Sequence, residues 1–116
     1  MRKIKAREII EKVKELFLKA NFEIGSDVMS KLKEAKEQEE SEVGKYVLDM
    51  IEKNNEIAAD EKIPICQDTG MAVLFVEIGQ DIELVDGDFQ EAINTGVKEA
   101  YEEGYLRKSI VDDPVF

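Results

Sequence analysis

Met71-Ala72-Val73-Leu74-Phe75-Val76-Glu77-Ile78, flanked by Gly70 and Gly79, is the stretch that decides between an all-helical chain and a mixed one. All but Glu77 are apolar, and branched or aromatic side chains dominate. A run of this length between glycines favours a buried strand over a helix, which would be longer and periodic. A strand also needs a neighbour for its backbone N–H and C=O groups, and Asp81 to Val85 is the stretch able to supply a second one. The small sheet that results makes the expected class α+β.

Working outward, the remaining chain reads as helix. Asp88 and Glu91 have the spacing of a capping box and open a helix to about Gly104, with Phe89, Ala92, Ile93, Val97, Ala100 and Tyr101 inward. Gly96 in its interior costs about 1 kcal/mol against Ala, so its presence predicts close packing on another element. Upstream, Ile4, Ile9, Ile10, Val13, Leu16, Phe17 and Ala20 recur at helical spacing and predict a long amphipathic helix. Asn21 to Gly25 break it, and Ser26 or Asp27 caps a second, thinly apolar helix to about Gln38. Ser41 caps a third, to about Asp60, with Val43, Tyr46, Val47, Met50, Ile51, Ile57 and Ala58 as its apolar face. The expected fold is therefore a helix-rich N-terminal half packed on a small sheet, with a further helix after the strands, in a single domain spanning residues 1–116. Tyr46, Phe75 and Tyr101 are expected in the core. The Glu37-Gln38-Glu39-Glu40 run reads as a solvated turn. The tail from Leu106 to Phe116 reads as extended. One buried strand with one partner is a meagre sheet, and Asp113-Pro114-Val115-Phe116 closes no element, so the chain reads as a fragment of a larger subunit or one completed by a partner.

Composition narrows the function classes. Apolar residues make up 43% of 116, enough for a core, and charged residues 37%, well above average. A net charge of −11 argues against nucleic acid and anionic membrane as partners, since both would repel it. A single cysteine excludes an intrachain disulfide and suits a reducing compartment. No stretch approaches the roughly 20 apolar residues of a membrane span, nor does the basic N-terminus lead into a signal-peptide core. A cytoplasmic protein is expected.

The candidate chemistry lies just before the apolar run, in Pro64-Ile65-Cys66-Gln67-Asp68-Thr69-Gly70. A thiol, an amide, a carboxylate and a hydroxyl follow one another between two residues that break regular structure. From the residues alone, Cys66 reads as a metal ligand, a nucleophile, a redox thiol or a small buried apolar side chain.

In its context this block closely resembles the class I, iron–sulfur fumarate hydratases, in the N-terminal part of an alpha subunit shared with the L-tartrate dehydratases. The resemblance runs through Phe75-Val76-Glu77-Ile78-Gly79-Gln80-Asp81, Ile93-Asn94-Thr95-Gly96-Val97 and Tyr101-Glu102-Glu103-Gly104-Tyr105-Leu106-Arg107-Lys108-Ser109. Upstream it includes Glu39-Glu40-Ser41-Glu42-Val43-Gly44 and Asn54-Asn55-Glu56-Ile57-Ala58. It implies that Cys66 matches the first of three cysteines holding a [4Fe–4S] cluster, whose open iron acts as a Lewis acid on substrate oxygen. It further implies that Gln67 and Asp68 contact the substrate, with Asp68 a candidate for proton transfer. Arg107 matches an arginine that grips a substrate carboxylate, a task for a planar bidentate donor. Thr69 and Ser109 read as turn or supporting groups. The departures are the absence of a second cysteine and of any histidine. The other ligands and catalytic groups are therefore expected from the remainder of an alpha subunit and from a beta subunit, and this chain alone is expected to hold no cluster and to be inactive.

The leading expectation is part of a hydro-lyase interconverting fumarate and malate, both C4 dicarboxylates. Its rival within the family is dehydration of L-tartrate to oxaloacetate. Two rivals of other classes are a non-catalytic helical interaction module with a buried cysteine, and a redox sensor using Cys66 without metal.

Overall fold

A computed structural model describes residues 1–66 and 70–108. The fold is α+β. The described residues form strand β1 (Arg2–Ile4), helices α1 (Ala6–Phe22), α2 (Ser26–Gln38) and α3 (Glu42–Glu61), strand β2 (Ile82–Leu84) and helix α4 (Phe89–Glu103). They fall into two compact units, Met1–Leu18 with the described part of Asp68–Phe116, and Lys19–Gln67; α1 contributes to both.

In the first unit β1 and β2 pair in parallel, with Arg2 opposite Ile82, Lys3 opposite Glu83 and Ile4 opposite Leu84. The pairing extends at both ends, Arg2 N–H donating to Asp81 O (2.6 Å) and Val85 N–H to Ile4 O (3.1 Å). The expected second strand is thus present as β2. The expected first strand is not: Met71–Ile78 carries no strand, its larger side chains are mostly exposed, and Phe75 is 97% exposed. Composition alone cannot make a strand. β2 pairs with β1 along one edge, and Met71–Ile78 makes no ladder with its other edge; β1 itself ends at Ile4, which sequence periodicity assigns to the first helix.

β1 hands the chain directly to α1, whose start is held from far along the sequence. Ala6 N–H donates to Asp86 Oδ1 (2.6 Å) and Lys5 N–H to Glu8 Oε2 (2.8 Å), satisfying donors that a helix N-terminus leaves free. α4 begins as expected: Asp88 is its N-cap and accepts from Glu91 N–H at 3.0 Å. α1 and α4 meet at Gly96, where a Cβ would lie 2.8 Å from Val13 Cβ and 2.9 Å from the Ile10 carbonyl oxygen. Gly96 therefore admits the neighbouring backbone, the role its helix-interior position predicts. Val13, Ala92, Ile93, Ala100 and Leu106 are buried here. Charge reinforces the crossing: Arg7 pairs with Glu99 (3.1 Å) and Lys14 with Glu103 (3.3 Å), while Arg7 also pairs with Glu11 along α1.

In the second unit α2 packs on α3. α2 starts at Ser26 behind Gly25, with no side-chain cap. α3 starts behind Ser41, whose hydroxyl accepts from Gly44 N–H at 3.3 Å. Lys36 of α2 donates to Glu52 (2.9 Å) and Asp49 (3.4 Å) of α3, and Lys53 pairs with Asp49 at 2.9 Å. The hydrogen bond to Glu52, seconded by Asp49 and opposed by partial desolvation, raises the Lys36 ammonium above its ordinary pKa. The bond from Lys53, opposed by desolvation and aided by Lys36, holds the Asp49 carboxyl below its own.

The expected apolar face of α3 exists as a stripe but is largely uncovered. Ala58 is buried, whereas Val43, Val47, Met50, Ile51 and Ile57 are exposed and Tyr46 is 66% exposed. Tyr46 and Phe75 are accordingly surface residues, while Tyr101 is half-buried. α2, with Val28, Met29, Leu32 and Ala35 as its apolar positions, is too narrow a partner to cover that face. No helix among the described residues is long and apolar enough to cross a membrane.

Candidate functional site

Cys66 ends a short segment in which every backbone donor is accounted for. α3 stops at Lys62, which adopts the left-handed conformation (φ 55°, ψ 50°). Ile63 N–H turns back to Ala58 O at 3.1 Å, the closure that satisfies helix C-terminal carbonyls. Pro64 has no N–H to satisfy. Ile65, its side chain buried, donates its N–H to Asn21 O at 2.8 Å. Cys66 N–H donates to the side-chain oxygen of Asn54 at 2.9 Å.

The thiol of Cys66 is free and the residue exposed. It lines an open groove of about 370 Å³ with Tyr46, Val47, Met50, Ile51, Asn54 and Asn55. This exposure corrects the reading of Cys66 as a small buried apolar side chain, and with it the interaction module built on a buried cysteine. The hydrogen bonds along Ile63 to Cys66 hold the residue beside the uncovered face of α3, where solvent reaches it. Asn55 is a second polar group of note. It is only 6% exposed, and its Nδ2 donor has no hydrogen-bond partner among the described residues.

The first unit carries Arg107. α4 ends with Gly104 N–H bonded to Ala100 O (2.9 Å), Tyr105 in the left-handed region (φ 54°) and Leu106 N–H returning to Tyr101 O at 3.1 Å. Leu106 is buried, so the exposed Arg107 leaves from a fixed point. Tyr101 also donates its hydroxyl to Gly70 O (3.4 Å). One residue of α4 thus ties down, through its hydroxyl, the last residue of the Cys-Gln-Asp-Thr-Gly block and, through its main-chain carbonyl, the segment leading to Arg107. Gly70 itself has φ 68°, a conformation that favours glycine.

Gln67, Asp68, Thr69, Ser109 and the tail to Phe116 lie outside the described residues. Cys66 and Arg107 belong to different units. Among the described residues no group of three or more His, Cys, Asp or Glu side chains is placed to hold a metal ion. Sequence reasoning assigned no role to Asn54; the available signal was a pair of amides, Asn54-Asn55, between the apolar positions Ile51 and Ala58 of one helix.

The fumarate hydratase (Fumerase) family model matches residues 10–116. The chain belongs to that family. A protein of Methanocaldococcus jannaschii named "Putative L(+)-tartrate dehydratase subunit alpha" is 40% identical over 105 residues, covering 90% of this chain and 37% of that protein. The L(+)-tartrate dehydratase alpha subunits of Escherichia coli K12 and Shigella sonnei are each 36% identical over 86 residues, covering 74% of this chain and 28% of those proteins. The chain thus spans about a third of the length of the relatives it matches. Its likeness to alpha subunits agrees with the placement that the resemblance implied.

A [4Fe–4S] cluster requires thiolate ligands, and the donor set here suits one corner of such a group. Cys66 is the chain's single cysteine and is accessible. Asn55 lines the same groove, while its Nδ2 is itself buried and has no hydrogen-bond partner among the described residues.

Proposed function

We propose that this chain supplies one ligand and part of the substrate site of an iron–sulfur hydro-lyase acting on a C4 dicarboxylate, in the first instance interconverting fumarate and malate. The observation that carries the reading is the exposed Cys66 thiol on a hydrogen-bonded segment that opens the Cys-Gln-Asp-Thr-Gly block. Cys66 would hold one iron of the [4Fe–4S] cluster, with the further cysteines coming from the remainder of the alpha subunit. When bound, the cluster supplies Lewis acidity toward a substrate hydroxyl or carboxylate oxygen. Arg107 would grip a substrate carboxylate through two parallel N–H donors. Gln67 would hydrogen-bond the substrate beside it, and Asp68 would hold or move the proton exchanged with the substrate. A beta subunit completes the assembly, and its setting is the cytoplasm.

Dehydration of L-tartrate is the second reading, favoured by the names of the alpha-subunit relatives. The two substrates share the dicarboxylate frame that Arg107 would hold and differ in hydroxyl content, so kcat/KM for each decides between them. The test is co-expression of the complete alpha and beta subunits, followed by anaerobic reconstitution with iron and sulfide. A brown complex that hydrates fumarate or dehydrates L-tartrate is expected, with activity abolished by Cys66→Ser. Wild-type rate in the Cys66→Ser complex would refute the ligand assignment. A strongly depressed Cys66 pKa by thiol titration, in a complex that binds no iron, would favour redox sensing instead.

A further inference from the structure

We infer that Asn54 is the positioning residue of Cys66: its side-chain oxygen fixes the main chain from which the thiol projects. The inference rests on the reading of Cys66 as a cluster ligand for its consequence, and on geometry alone for its cause. Three donors hold the approach to the thiol, and two of them bond to backbone carbonyls, of Ala58 and Asn21. Only the third, Cys66 N–H to Asn54 Oδ1 at 2.9 Å, depends on a side chain. Among the hydrogen bonds of the described residues, Asn54 is therefore a point where a substitution moves the thiol without removing it. Its position on α3, one turn beyond Met50 and Ile51, places it on the same groove as Cys66. The neighbouring Asn55, nearly buried and with an unpaired Nδ2 donor, lines that groove too. Of the two amides, Asn54 is the one that accepts from the backbone of the thiol residue. A metal ligand displaced by a fraction of an ångström no longer matches a rigid cluster, so groups that orient ligands matter almost as much as ligands.

The experiment measures Cys66 amide hydrogen exchange by NMR in the 116-residue chain. The wild-type amide is expected to exchange well below the rate of an unstructured peptide; exchange at the unstructured rate overturns the inference before any variant is made. In Asn54→Ala the Cys66 amide should exchange at least fivefold faster, the factor for a lost neutral hydrogen bond, while amides at the centre of α3 stay unchanged. Asn54→Asp, which keeps an acceptor oxygen in place, should restore protection to within about twofold. Unchanged Cys66 exchange in Asn54→Ala overturns the proposal. The consequence is read separately, as the paramagnetic resonance spectrum and iron content of the reconstituted alpha–beta complex: Asn54→Ala should alter the spectrum or lower occupancy and Asn54→Asp should not. An Asn54→Ala complex with wild-type spectrum and iron content also overturns it. A Cys66→Ser complex that retains a full cluster would instead defeat the ligand reading and leave the exchange result standing.

Discussion

Gly96→Ala pits two local effects of opposite sign against each other. At an unencumbered helix interior the change would stabilise by about 1 kcal/mol through helix propensity. Here the added Cβ would sit 2.8 and 2.9 Å from two atoms of Val13 and 2.9 Å from the Ile10 carbonyl oxygen. Val13 Cγ1 can give way by rotating; its Cβ and the helix carbonyl cannot, so α1 must move off α4. Overpacking of this kind costs about 1–3 kcal/mol, and loosening the crossing also weakens burial of Val13, Ala92, Ile93 and Ala100. The net expectation is destabilisation by about 1–2 kcal/mol, which at roughly 4 °C per kcal/mol for a domain of this size lowers Tm by about 4–8 °C. Thermal and urea unfolding followed by circular dichroism measure it. Val13→Ala removes the Cγ1 contact and leaves those of Cβ and the Ile10 carbonyl, so Gly96→Ala in that background should cost somewhat less than in the wild type, a coupling visible in a double-mutant cycle. A rise in Tm for Gly96→Ala would refute the close crossing and show propensity alone at work.

Three further outcomes follow from particular residues. Asp88→Ala removes the acceptor for Glu91 N–H at the start of α4 and should cost about 1 kcal/mol in urea unfolding, with Asp88→Asn nearly neutral. Phe75→Ala should change stability by less than about 0.5 kcal/mol, as for an exposed residue, whereas a buried strand there would lose about 3–5 kcal/mol. Asp49 has a folded-state pKa below its ordinary value because Lys53, and then Lys36, bond to it against partial desolvation. Its contribution is therefore present above about pH 4 and is lost as pH falls below that value. The Tm gap between wild type and Asp49→Asn, small because the pair is at the surface, should close on acidification and persist on raising pH to 9.

Local rules were legible and long-range ones were not. Ser41 and Asp88 announced their helices because a cap is a contact between residues three apart. Gly96 announced the α1–α4 crossing because its cost in a helix demands a reason. The strand at Arg2–Ile4 stayed hidden, since its partner lies some eighty residues on and Ile4 continues the helical periodicity of α1. Met71–Ile78 misled in the opposite sense: its side chains suit a strand, but pairing is decided by which backbone the topology brings alongside, and no strand pairs with it. The α3 stripe was correct as periodicity and wrong as burial for Tyr46, because a sequence states which face is apolar and not what covers it. At the site, Cys66 stood out by composition, whereas its bond to Asn54 joins residues twelve apart across a helix end and leaves no pattern.

The parallel pairing of Arg2–Ile4 with Ile82–Leu84 gives the chain's birth an unusual order. Residues 2–4 cannot be locked until the eighties emerge from the ribosome, about 4–16 s after them at ordinary rates of synthesis. Until then that segment lacks its strand partner and is open to proteolysis and to wrong neighbours.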